Sequence, residues 1–208
     1  MSHWDKEYEK WASVERHPVM GSEKVDKEEI KRREVIEEAL TPHMVKLEAA
    51  KKILDLGAGA GTGMYLSEEL AGKVIAIDIT HKLLKYNYAK SKVQADMDLG
   101  YEGLSLPLQA ESVEAVTSFF LMRYLHKHPH FVTEIARVMC KGGLVLVMDY
   151  DSIGHYKEVR EFNADELAKE LVKAGLINIK IKRVYTEVVA DEASVEEKRL
   201  SLLSAIKG

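Results

Sequence analysis

The sequence predicts an α/β fold: a doubly wound, mostly parallel seven-stranded sheet with helices on both faces, an antiparallel hairpin at one edge and a helical extension at the N-terminus. Three observations predict it. From Lys51 onward, short β-rich apolar runs alternate with stretches of helical periodicity, the order of a parallel sheet covered on both sides. The run LVLVMDY, Leu144 to Tyr150, is apolar almost throughout, as a strand buried on both faces must be. The last two β-rich runs have no helix between them, so they pair as a hairpin.

The elements follow in order. Trp4, Tyr8 and Trp11 fall at i, i+4 and i+7 and share one face of a helix. A turn around Pro18 and Gly21 separates it from a second helix, opened by Asp26 with Glu29 three residues on, and running through Ile30, Val35, Ile36, Ala39 and Leu40. Thr41-Pro42 restarts a short helix with Thr41 as N-cap. Residues 1–50 are therefore read as a helical extension packed on the main body, with a lid over a binding site as a compatible second role; residues 51–208 form the core.

In the core, KKILDL is the first strand, and the helix after it carries Met64, Tyr65, Leu66 and Leu70. KVIAIDI (Lys73 to Ile79) is the second strand, followed by a helix through Leu83, Leu84 and Tyr86. VQAD (Val93 to Asp96) is the third and VEAVTSFF (Val113 to Phe120) the fourth. HFVTEIARVM is a helix closed by Gly142-Gly143, and LVLVMDY is the fifth strand. DELAKELVKAG is a helix with Gly175 at its C-terminus, before the strands INIKIKRVYTEVV and KRLSLLSAIKG.

Composition excludes several classes. Hydrophobic residues make up 46% and charged residues 31% of 208, a globular balance. A net charge of −4 gives no global basic field, so nucleic acid is not indicated as a partner. No apolar run reaches the roughly 18–20 residues that span a bilayer, and MSHWDKEYEKW is too charged for a signal peptide. Cys140 is the lone cysteine and has no intrachain partner, which fits a reducing, cytoplasmic location.

The chemistry concentrates in Ile53 to Gly63, ILDLGAGAGTG, a glycine-rich turn from the first strand into the first helix. Such a turn lets a ligand approach the backbone and presents helix N-terminal amides to it. A dinucleotide and S-adenosylmethionine are both compatible with a bare backbone here. The dinucleotide pattern GxGxxG wants a small residue at its last place, which falls on Thr62 when counted from Gly57. The pattern acidic-x-Gly-x-Gly-x-Gly is met at every place by Asp55, Gly57, Gly59 and Gly61, with Ala58 between the first two glycines.

With these residues the sequence resembles the class I S-adenosylmethionine-dependent methyltransferases, of the small-molecule, type 11-like kind. LSLPLQAESVEAVTSFFLMRYL and HFVTEIARVMCKGG resemble further stretches of that family, so the likeness is good over Ile53 to Asp149 and looser to Gly208. Departures are Val113-Glu114 for Phe-Asp, Tyr124 where a histidine is frequent, and Cys140-Lys141 for Lys-Pro. The resemblance implies a Rossmann-like core and S-adenosyl-L-methionine as cofactor, with S-adenosyl-L-homocysteine as product. It implies that Asp78, ending the second strand, receives the ribose hydroxyls, with Ile79 against the adenine. Asp96, with Met97 beside it, stands where an acidic residue contacts the adenine amino group. Asp55 orients the cofactor directly or through the glycine loop.

Ser118 and Phe119 end the fourth strand and should lie beside cofactor and acceptor, because ligands of open α/β sheets sit at the carboxyl ends of strands. Phe119 and Phe120 also suit plain packing. Members of the superfamily that methylate amino groups of bases or amides usually carry an Asp/Asn-Pro-Pro-Tyr/Phe tetrad where this chain has Ser118-Phe119-Phe120-Leu121, which disfavours that activity. Pyrimidine C5 methylation needs a cysteine in that region, whereas Cys140 precedes the fifth strand and reads as a small buried hydrophobe. A small-molecule O, N or C acceptor is the expected partner. The alternatives are an RNA or protein methyltransferase, a non-catalytic cofactor-binding scaffold subunit, and a nicotinamide oxidoreductase. Any catalytic base is unassigned, with His17, Tyr124, His126, Asp149 and Tyr150 as candidates. No metal site is expected, since the tract His126-Lys127-His128-Pro129-His130 lacks accompanying ligands.

Overall fold

The computed structural model describes residues 27–59, 68–85, 87–95, 105–125, 128–153, 162–190 and 195–208. The first described element is helix α1 (Lys27–Leu40), which buries Ile36, Ala39 and Leu40 at i, i+3 and i+4, the single apolar face expected of it. Asp26, Trp4, Tyr8 and Trp11 lie outside the described residues. Thr41 is not an N-cap. It opens a 3-10 turn (Thr41–His43) entered in helical conformation from Leu40, and its hydroxyl donates to the Glu37 carbonyl one turn back, at 2.9 Å. The chain turns at Thr41-Pro42 without leaving helical dihedrals, so there is no extended cap residue and nothing to cap. Helix α2 (Met44–Ala49) follows and buries Leu47.

Strand β1 (Ile53–Leu56) leads to α3 (Glu68–Ala71), β2 (Val74–Asp78), α4 (His81–Leu84), β3 (Ser91–Gln94) and β4 (Val113–Phe119). A 3-10 turn (Met122–Tyr124), α5 (His128–Val138), β5 (Met139–Ile153), α6 (Ala164–Lys173), β6 (Leu176–Ala190) and β7 (Val195–Lys207) complete the described elements. They form a seven-stranded sheet in the order β3-β2-β1-β4-β5-β7-β6. The first five strands run parallel, and β7 lies antiparallel between β5 and the edge strand β6. The doubly wound sheet and its terminal hairpin are thus as the alternation implied.

Boundaries move at several strands, the fifth spanning Met139–Ile153 and the seventh starting at Val195, and two of the shifts have a visible cause. The third strand begins at Ser91 rather than Val93. It is an edge strand whose residues are mostly exposed, so no buried alternation marks its start, and pairing with Ile75–Asp78 sets its extent. The helix expected to run through Met139 ends at Val138, and Met139 already pairs with Val113. Gly142-Gly143 does not close that helix but bends the entering strand. Gly142 has φ +76°, and a Cβ on Gly143 would lie 2.8 Å from the Cys140 carbonyl and 2.9 Å from that of Glu114. The register shifts between Val113 and Ala115 at the same place.

Helices cover both faces. Phe131, Val132 and Ile135 of α5 and Leu167 and Leu171 of α6 share one buried cluster with Leu54, Leu56, Val116 and Val145. Ile36, Leu40, Leu47, Leu70 and Leu84 share the other with Ile53, Ala76, Ala115 and Leu146. Helix α6 is capped at both ends as its composition suggests: Asn163 accepts from the Glu166 amide at 3.0 Å, and Gly175 takes φ +84°. Strand order reverses at β1, which has β2 on one side and β4 on the other. The carboxyl ends of the strands at such a switch point are the standard ligand position in sheets of this kind.

Candidate functional site

The glycine turn leaves β1 at this switch point, and its two described glycines do different work. The amides of Gly57 and Ala58 both donate to the Ile77 carbonyl, at 2.9 and 3.0 Å, which ties the turn to β2. Gly57 has φ +71°, and a Cβ there would lie 2.9 Å from Leu121 Cβ. Close approach of the segment after β4 therefore requires glycine. Gly59 also has positive φ, +49°, but among the described residues a Cβ on it would meet nothing nearer than 3.9 Å. No described residue closes its outer face as Leu121 closes that of Gly57.

Side chains from β2 and the segment after α4 hold Gly59 at both polar groups. Asp78 Oδ2 accepts from the Gly59 amide at 2.9 Å, and Oδ1 from the Thr80 amide at 2.7 Å. Burial holds the Asp78 carboxyl above the usual carboxylate range, with these two amide bonds opposing the shift. An ionised carboxylate offers about four acceptor positions, so two amides do not exhaust it. Asn87 was not anticipated. Its Nδ2 donates to the carbonyls of Ala58 and Gly59, each at 3.2 Å, while Oδ1 accepts from the Ala89 amide at 2.9 Å. Nothing in the stretch KYNYA marks that asparagine beyond being a lone amide between tyrosines.

Beneath the turn, Asp55 is fully buried and accepts the Thr117 hydroxyl at 2.8 Å. The two residues are direct partners in the β1–β4 register, so their side chains meet on one face. Ser118, next along β4, is buried with no hydrogen-bond partner for its Oγ among the described residues. Phe119 is buried in the apolar cluster that also contains Ala58, and Ile79 is half-buried with its carbonyl taken by Gln94 Nε2 at 3.0 Å. Gly61, Asp96, Met97, His17 and His126 lie outside the described residues.

A second group stands where β5 runs on past the carboxyl end of β4. Asp149 is fully buried, and its carboxylate accepts the amides of Arg123 (3.1 Å) and Tyr150 (2.7 Å). The Arg123 Nε lies 3.0 Å from Oδ1 as an ion pair rather than an aligned hydrogen bond. Burial raises the Asp149 carboxyl above the usual range against the pull of Arg123 and these amides. So bound, Asp149 positions Arg123. The guanidinium carbon lies over three half-buried rings, 5.1 Å from Tyr150, 5.5 Å from Tyr124 and 5.9 Å from Phe120. Of the candidate bases, Tyr124, Asp149 and Tyr150 thus converge on Arg123, which the sequence reading did not single out.

The segment entering β4 is fixed by a separate pair. Glu134 accepts the Leu106 amide at 2.7 Å and Arg137 Nε at 2.8 Å, and Arg137 donates to the carbonyls of Leu106 and Leu108. Arg137 holds the Glu134 carboxyl below its ordinary range. Cys140 is half-buried rather than buried, and its thiol donates to the Glu111 carbonyl at 3.0 Å. Among the described residues no three His, Cys, Asp or Glu side chains are grouped to hold a metal ion, and no helix is long and apolar enough to cross a membrane.

Comparison with known proteins follows this geometry. Residues 54–147, from β1 into β5, match the methyltransferase domain family. A probable S-adenosylmethionine-dependent methyltransferase of Mycobacterium tuberculosis is 30% identical over 162 residues, covering 72% of this chain and 56% of the relative. A demethylmenaquinone methyltransferase of Tropheryma whipplei is 25% identical over 107 residues, 51% of this chain and 45% of that one. The chain thus spans about half the length of these curated relatives. The fold is shared with a crystal structure of a SAM-dependent methyltransferase from Archaeoglobus fulgidus, with TM-score 0.63 at 14% identity, over 84% of this chain and 94% of that one.

Proposed function

We propose that the chain is a class I S-adenosylmethionine-dependent methyltransferase, as its likeness to the methyltransferase domain family and to an S-adenosylmethionine-dependent relative supports, and that it transfers a methyl group to a small-molecule O, N or C acceptor. The observation that carries this reading is the turn at Gly59, held in a left-handed conformation at the switch point of the sheet with no described residue closing its outer face. Two further features fit a bound S-adenosylmethionine: the spare acceptor capacity of Asp78 and the buried hydroxyl of Ser118, which has no partner among the described residues.

When bound, the donor supplies a sulfonium methyl whose carbon–sulfur electron pair returns to sulfur as the acceptor's lone pair attaches to carbon. Asp78 receives ribose hydroxyls, Gly57, Ala58 and Gly59 shape the seat, and Ser118 with the end of β4 borders the reacting methyl. Asp55 stiffens the seat from below through Thr117, and the family resemblance assigns Gly61 to the same glycine pattern, Ile79 to the adenine face, and Asp96, with Met97 beside it in sequence, to the adenine amino group. Alignment of the two reactants by this frame is worth on the order of 7–11 kcal/mol in well-oriented systems. A neutral amine acceptor needs no base, since it sheds its proton to water after attack, whereas a phenol or enol does.

Calorimetric titration with S-adenosylhomocysteine, followed by labelled methyl transfer to pools of small molecules, RNA and protein, tests this. Saturable binding with label entering the small-molecule pool is expected. Binding without transfer would favour a scaffold, label in RNA or protein would reassign the acceptor, and NAD(H) binding alone would return the oxidoreductase reading.

A further inference from the structure

Arg123 combines features that pairing with Asp149 does not use up. The acid of the pair is fully buried, while the arginine side chain is 23% exposed, so the pair turns its positive end outward. Nε faces Asp149, and neither Nη atom donates to any described residue. The backbone amide of Arg123 is bonded to the same carboxylate that faces its side chain, which fixes the arginine at both ends. Tyr150, Tyr124 and Phe120 then limit where the guanidinium can swing. An arginine so oriented presents a fork of N–H donors matched to a planar carboxylate or a phosphate.

Its place in the fold points to the acceptor. Leu121, two residues before Arg123, packs directly on Gly57. Across the sheet the order is Asp78 on β2, the glycine turn after β1, Ser118 on β4, then Arg123 in the turn after β4 and Tyr150 on β5 beside it. With the ribose at Asp78, the reacting end of the donor lies toward β4, and Arg123 stands beyond it. We propose that Arg123 is the receptor for an anionic group, carboxylate or phosphate, on the methyl acceptor, with the rings of Phe120, Tyr124 and Tyr150 bordering the part of the acceptor next to that charge. This rests on the methyltransferase reading for the identity of the ligand, but not for the presence of an anion site.

The test titrates protein saturated with S-adenosylhomocysteine with benzoate, phenyl phosphate and neutral benzyl alcohol. At least one anionic probe is expected to bind ten times more tightly than benzyl alcohol. Arg123→Lys keeps a charge opposite Asp149 and loses the fork, so it should weaken that probe at least fivefold with melting temperature and S-adenosylhomocysteine affinity unchanged. The double variant Arg123→Gln/Asp149→Asn, which leaves no buried unpaired charge, should abolish the preference for anions. Anions binding no better than benzyl alcohol would overturn the proposal. So would an Arg123→Lys loss confined to S-adenosylhomocysteine, which would assign the fork to the donor's own carboxylate. If the wild-type protein fails to bind S-adenosylhomocysteine, the methyl-donor reading falls, and the same probes on the donor-free protein still decide the anion site.

Discussion

Asn87 Nδ2 lies 3.2 Å from the carbonyl oxygen of Gly59, while Asp78 Oδ2 takes the amide of the same glycine at 2.9 Å. One residue of the turn is thus gripped at both backbone polar groups by side chains distant in sequence. Asn87→Ala removes two donors from buried or partly buried carbonyls and should cost about 1–3 kcal/mol in urea denaturation. S-adenosylhomocysteine affinity should fall with it, because the seat loses its shape. Unchanged stability would show that water replaces the amide and that the clamp is incidental.

The two glycines of the turn should respond differently to a methyl group. Both pay about 1–2 kcal/mol for alanine at positive φ, but Gly57→Ala also drives a Cβ into Leu121 at 2.9 Å. Overpacking adds about 1–3 kcal/mol. Gly57→Ala is therefore expected to melt well below Gly59→Ala. Donor binding should show the reverse emphasis in folded protein, since of these two glycines it is Gly59 whose outer face no described residue covers.

Asp78→Ala should weaken S-adenosylhomocysteine at least about tenfold, near 1.4 kcal/mol, by calorimetry. The pH dependence carries a definite sign. Burial raises the folded-state pKa of Asp78 above its unfolded value, so the native state binds more protons in the interval between them. Stability relative to Asp78→Asn should then decline as pH rises from the ordinary carboxylate range through the raised folded value. A flat difference between the two proteins across that interval would show that Asp78 is not perturbed.

Ser118→Ala separates a structural hydroxyl from a ligand-facing one. The Oγ has no partner among the described residues, so its removal should leave unliganded stability unchanged or slightly raised. Donor affinity should still drop about two- to tenfold, the worth of one ordinary hydrogen bond. A large loss of stability without ligand would mean that the hydroxyl is already satisfied within the protein.

Glu134 gives the opposite pH sign from Asp78. Arg137 and the Leu106 amide lower its folded-state pKa, so its contribution is full above the ordinary glutamate range and is lost as pH falls through the depressed value. Glu134→Gln should cost about 2 kcal/mol at neutral pH and flatten the acid limb of the stability curve. Chemical denaturation at several pH values reads both.

Much of this was legible because the relevant physics is local. The apolar run of LVLVMDY, the periodicity of α5 and α6, and the missing helix before β7 each reflect burial of neighbouring residues, and each appears in the fold. Where boundaries moved, a distant partner had decided them: β2 for the start of β3, and the Glu114 carbonyl for the bend at Gly143. Thr41 failed as a cap because the chain never left helical dihedrals there, a property of the backbone path rather than of residue type.

By itself the sequence determined the alternation of strands and helices, hence a parallel sheet with a glycine turn at the end of its first strand and Asp78 at the end of its second. Those features follow from apolar periodicity and from glycine's freedom at positive φ, which act over a few residues. Only the tertiary structure decided that Gly57, but among the described residues not Gly59, is closed over by a side chain, that Asn87 grips the turn, and that Asp149 aims Arg123 among three rings. The pairs Gly57–Leu121, Gly59–Asn87 and Arg123–Asp149 join residues 64, 28 and 26 positions apart that share no pattern along the chain. Their strength comes from burial, which makes each polar group find a partner wherever the fold brings one within about 3 Å.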